Sequence, residues 1–141
     1  MPLTRVDFQQ LAEIRIAEAG VLLANGMWEG AYYLAGYAVE CGLKACIMGY
    51  VERTGVIFED KKYSEKCWTH DIEALVRLAA LDLIRDAVYA SDQEFAANWT
   101  KVIEWSEMRR YMRTPELEAR KLYAAITDPL HGVLTWIRKH W

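Results

Sequence analysis

Apolar residues recur at helical spacing through most of the chain, and no stretch shows the period of two that marks a half-buried strand. The first run predicts a helix from about Arg5 to Ala24. Thr4 is its expected N-cap, with Asp7 as a weaker capping-box partner. Leu11, Ile14, Ala17, Val21 and Leu22 form the expected buried stripe. Asn25-Gly26, two residues that tolerate left-handed backbone, ends the helix.

A second helix follows from about Trp28 to Thr54 and stops at Gly55. It carries Gly30, Gly36, Gly42 and Gly49. Each helical glycine costs about 0.8–1.0 kcal/mol against alanine, so packing has to return that cost. Ala31, Ala35, Ala38, Gly42 and Ala45 share one smooth face that a neighbouring helix can approach closely. The run Ala31 to Val51 is long enough to span a bilayer, but Glu40 and Lys44 fall near its middle. Each charge would cost about 2.5–3.5 kcal/mol at a membrane centre. The expectation is therefore a core helix with no membrane association.

From about Val56 to Trp68 there is no clear period, and the reading is a loop ordered by Phe58, Tyr63 and Trp68. Thr69 is the expected cap of a third helix, with Asp71 and Glu73 in its first turn, where the helix dipole favours anions. Ile72, Leu75, Val76 and Ala79 form its buried stripe. Leu81 to Tyr89 reads as a separate helix or a continuation. Ser91 with Glu94 forms a capping box for a fourth helix bearing Phe95, Trp99, Val102 and Ile103. EMRRYMRT is a tight connection. Thr114 is the expected cap of the last helix, Pro115 its first residue, and Asp128-Pro129 should kink or break it. Leu130, Val133, Leu134 and Ile137 continue its apolar face. Four main helices plus one or two short ones, joined by short connections, predict one all-α domain over residues 1–141, an up-and-down antiparallel bundle.

Composition narrows the function classes. Hydrophobic residues make up 53% and charged residues 26% of the 141, a globular balance that argues against disorder. The net charge of -3 disfavours a wholly basic nucleic-acid-binding surface while leaving room for a local patch. Cys41, Cys46 and Cys67 show neither zinc-ligand spacing nor a disulfide framework. Reduced thiols and a cytoplasmic location are expected, and MPLTRVDFQQ lacks the apolar run of a signal peptide.

Three groups of residues could carry chemistry. Glu40 and Lys44 are an i,i+4 pair in the favourable orientation, either a structural or interface ion pair or the polar floor of a nucleotide or RNA groove. Arg109, Arg110 and Arg113, beside Tyr111, precede the last helix. They could bind phosphate at its N-terminus, with the ring to stack a base, or cap the fourth helix. His70 beside Asp71 is a candidate acid–base group or a helix-start residue. No Walker loop, GxGxxG, HExxH or CxxC occurs. A di-iron bundle would need two Glu-x-x-His motifs, and the nearest approach is a single Asp128-x-x-His131. No metal or cofactor is expected. Among the six tryptophans, Trp28 and Trp141, near helix ends, are the expected exposed ones.

The run AYYLAGYAVECGLKACI resembles the second helix of HEPN domains, the higher eukaryotes and prokaryotes nucleotide-binding family. THDIEALV, the RRY after the fourth helix and the final DPLHGVLTWI are similar to further family segments, so the resemblance covers nearly the whole chain. It implies an up-and-down helical bundle, commonly a homodimer. It also implies association with a nucleotide or RNA, or pairing with a small nucleotidyltransferase in a toxin–antitoxin or defence system. Many members are metal-independent ribonucleases that use an Arg followed by four to six residues and then a His. Counting back from His70, His131 and His140 finds no arginine at that spacing. Two alternatives to a non-catalytic nucleotide- or RNA-associated module stand beside it. One is a ribonuclease toxin with a displaced Arg/His set, such as His70 with Arg110. The other is a structural dimer or adaptor.

Overall fold

The structure, a computed structural model, describes residues 3–55 and 65–141, and of Arg110 the backbone alone. It is all-helical, 76% helix, with no strand among the described residues. The helices form a bundle around α2.

Helix α1 spans Arg5–Ala24 and α2 spans Trp28–Thr54, as the periodicity predicts. Thr4 and Asp7 close a full capping box: the Thr4 hydroxyl accepts from the Asp7 amide at 3.2 Å, and Asp7 accepts from the Thr4 amide at 2.8 Å. The Thr4 amide, and the Thr4 hydroxyl donating at 2.9 Å, favour the charged carboxylate and hold Asp7 below the ordinary aspartate range. Gly55, at φ 70°, ends α2 in the left-handed conformation.

The buried face of α1 differs from the expected one. Ala12, Ile16, Ala19 and Leu23 face the core, while Ile14 and Val21 are exposed. A hydrophobicity pattern favours the larger side chains, whereas α1 lies so close to α2 that alanines fill much of the contact. The small face of α2 is buried as read: Ala31, Ala35, Ala38, Gly42 and Ala45. Two of its glycines are places where only hydrogen fits. A Cβ on Gly36 would lie 2.3 Å from the Trp105 indole, and one on Gly42 would lie 2.9 Å from Ile137. The indole therefore packs directly on the α2 backbone, and the gained contact offsets the glycine's helix penalty. Helix α2 is long and apolar enough to cross a membrane by length and composition alone, and 67% of its apolar window is buried within the bundle.

Residues 56–64, with Phe58 and Tyr63, lie outside the described residues. Helix α3 spans Ile72–Leu78. Its cap is Asp71, which accepts from the Ala74 amide, rather than Thr69, whose hydroxyl accepts from the Asp71 amide one step earlier. The chain then turns at Ala80, a non-glycine residue at φ 58°, so α4 (Asp82–Ser91) is a separate helix. Helix α5 (Gln93–Ile103) is capped by Asp92, not Ser91. Ser91 is the last residue of α4, with its hydroxyl donating to the Ala87 carbonyl. A 3-10 turn, Glu107–Tyr111, leads into α6 (Glu116–Thr127). Pro115 is the residue before α6 and not its first, and Thr114 does not cap it. Asp128-Pro129 breaks the helix as expected, and α7 (Val133–Ile137) follows. Leu130, read as part of the apolar face, is exposed.

Beyond the α1–α2 contact, the core holds an aromatic cluster in which Phe95, Trp99 and Trp136 meet at centroid distances of 5.6–6.1 Å. Arg85 is buried beside it, its guanidinium 5.0 Å from the Trp99 ring and bonded to Glu73 at 2.6 Å and Asp86 at 2.7 Å. Trp28 and Trp141 are half-buried, and the exposed indole is Trp68.

Candidate functional site

Three of the seven candidate residues meet at one place. Glu40 projects from the middle of α2 and is 1% exposed. One carboxylate oxygen accepts from Lys44 Nζ at 3.2 Å, and the other lies 2.8 Å from His70 Nδ1. The buried carboxylate is thus paired and hydrogen-bonded, the condition under which such a charge is tolerated. His70 sits just before α3. Its second ring nitrogen, Nε2, lies 3.1 Å from Glu107 at the start of the 3-10 turn. A neutral imidazole donates from only one nitrogen, so both contacts are hydrogen bonds only when both nitrogens carry protons. Among the described residues, the bonded partners of His70 are these two carboxylates and no arginine.

The imidazole borders an open cavity of about 450 Å³. Ile72, Ile103, Trp105 and Met108 provide apolar wall, while Asp71, Glu73 and Glu107 provide carboxylates. Glu107 was not singled out in the sequence, where one acidic residue in a connection carries no signal. Its role comes from the tertiary approach of the turn to His70.

The arginine segment is placed otherwise than its sequence position suggests. Arg109 turns inward. Its guanidinium lies 4.4 Å from the Tyr32 ring centroid, 2.9 Å from Glu118 and 3.3 Å from the Thr114 hydroxyl. Glu118 holds the charged form and raises its pKa further. Burial pushes the Tyr32 phenol up, with Arg109 opposing. With its charge taken up by Glu118 and its face covered by Tyr32, Arg109 is a strut between the turn, α2 and α6. It neither caps α5 nor stands open to an anion. Arg113 is 97% exposed and reaches Glu29 at 3.3 Å. Tyr111 is exposed too. These two border a second open cavity, about 680 Å³, with Gly26, Met27, Glu29 and Gly30. The first turn of α2, which supplies Glu29 and Gly30 to that lining, has no side-chain cap. The basic segment thus divides: Arg109 braces the first turn of α6 through Glu118, and Arg113 leans on the first turn of α2 through Glu29.

The thiols are chemically quiet. Cys41 and Cys46 are buried and reduced, with pKa values pushed up by burial to about 11 and about 12. High pKa leaves almost no thiolate, the reactive form. No group of three or more potential metal ligands with suitable geometry occurs among the described residues.

Scans against protein-family models, curated proteins and solved structures each return no match.

Proposed function

We propose that this protein is a HEPN-type helical module, a dimeric, cytoplasmic protein that associates with a nucleotide or RNA, alone or beside a nucleotidyltransferase partner. In this reading it acts by binding, since the Arg-x4-6-His ribonuclease motif is absent from its sequence. The observation that carries the proposal is the convergence of Arg113 and Tyr111 on the uncapped first turn of α2 around the open cavity of about 680 Å³. An arginine and a helix N-terminus supply donors for phosphate, and an exposed ring supplies a stacking face for a base. Glu29 pairs with Arg113 at 3.3 Å, and a phosphate would compete for the same guanidinium.

The test is binding of a labelled single-stranded RNA and of free nucleotides to the wild type, to Tyr111→Ala and to Arg113→Ala. Removing the ring should weaken RNA binding about fivefold or more, the lower end of the 1–3 kcal/mol that base stacking contributes. Removing the arginine should also lower the salt dependence by about one ion. Affinities unchanged in both variants, or no binding by the wild type, would overturn the assignment.

A further inference from the structure

His131 lies in the turn between α6 and α7, outside both cavities. Its backbone amide donates to Asp128 at 2.8 Å, and its carbonyl accepts from the Asn98 side chain at 3.0 Å. These bonds fix the backbone and aim the ring at the start of α5. Nδ1 lies 2.7 Å from Asp92, and Nε2 lies 2.9 Å from Glu94. The other Asp92 oxygen caps α5 by accepting from the Phe95 amide at 3.0 Å. One imidazole therefore joins the helix that carries Phe95 and Trp99 to the corner that feeds Trp136 into the same aromatic cluster.

We infer that His131 is a pH-sensitive latch. Doubly protonated, it donates to Asp92 and Glu94 together and closes the α6–α7 corner onto α5. On losing a proton it keeps one donor, faces a carboxylate with a lone pair at the other nitrogen, and lets the corner open.

The chemistry follows from donor count. The charged groups that face the ring are Asp92 at the cap of α5, Glu94 in its first turn and Asp128 at the end of α6, all acidic. The Asp92 hydrogen bond is the largest influence and raises the pKa of His131 above its ordinary 6.5. The corner is therefore closed below that value and loosens as the pH rises through the folded-state midpoint.

Histidine NMR titration together with amide-exchange protection at residues 132–137 tests the latch. The expected result is a His131 midpoint above 6.5 and protection that falls with the same midpoint. In Glu94→Gln, an exposed position that leaves the fold intact, the midpoint should move toward 6.5. In His131→Gln, protection should stay constant across the range. A wild-type midpoint at or below 6.5, or protection that does not change with pH, would overturn the latch even if His131→Gln fails to fold.

Discussion

His70 and His131 hold the same chemical position and opposite structural ones. Each has both ring nitrogens against carboxylates, at 2.8 and 3.1 Å for His70 and at 2.7 and 2.9 Å for His131. The difference lies in what stands behind the ring. Behind His70 is Glu40, sealed inside the bundle and already shared with Lys44. Behind His131 are surface carboxylates, one of which caps a helix. The first site is anchored by a buried charge that must keep its partners. The second is a half-buried corner whose carboxylates, at 27% and 72% exposed, reach water when they part. An identical set of donors and acceptors thus makes a fixed floor in one place and a releasable fastening in the other.

The largest effect should come from cutting the buried anchor. Glu40→Ala strands Lys44, whose side chain is 14% exposed, and should cost about 3–5 kcal/mol in chemical denaturation, the range for breaking a buried ion pair by removing one partner. Glu40→Gln, which keeps a hydrogen-bond acceptor, should lose less. A cost for Glu40→Ala no greater than for an exposed carboxylate would erase the distinction between the two sites.

Next is Asp92→Ala, which removes the α5 cap and the His131 partner together. It should destabilise less than Glu40→Ala, with exchange protection lost first in the opening turn of α5. A loss exceeding that at Glu40 would reverse the comparison.

The pH dependence sharpens it further. The folded pKa of His131 is raised, so its stabilisation is complete below 6.5 and is lost as the pH rises through the folded value. Asp92 is lowered from 3.8 by the Phe95 amide and His131, so its contribution is present above 3.8 and lost as the pH falls through its folded value. The corner should be strongest between those limits. The melting temperature of the wild type minus that of His131→Gln should peak in mildly acidic buffer and shrink on the alkaline side.

The smallest effect is expected at Glu107→Gln. That side chain is 39% exposed, and the change should shift stability by no more than about 0.5 kcal/mol. A larger shift would mean that the outer arm of His70 belongs to the buried network.

The long helices were the most legible part of the sequence. Both ends of α1 and the C-terminal end of α2 follow from Thr4, Asn25-Gly26 and Gly55, because capping and left-handed turns are decided by neighbours along the chain. Where a distant partner chooses, local reading went astray. Ser91 is as good a cap as Asp92 on propensity, but Asp92 also reaches His131, 39 residues away. Ile14 outranks Ala12 in hydrophobicity, yet the close α1–α2 approach favours the alanine. Arg109 follows the ring of Tyr32 and the carboxylate of Glu118, neither of which its own segment announces. The Glu40–Lys44 pair was visible as a spacing, whereas its joining to His70 required the fold.

The contact between Gly36 and Trp105 has an evolutionary consequence. While position 105 holds an indole, position 36 admits no methyl group, and an alanine there would force the ring away from α2. Once the indole is lost, selection against alanine at position 36 lapses and helix propensity favours the exchange. Among descendants of this sequence, the two sites should therefore change in a set order, tryptophan first and glycine afterwards. Chains that carry the second change without the first should be rare.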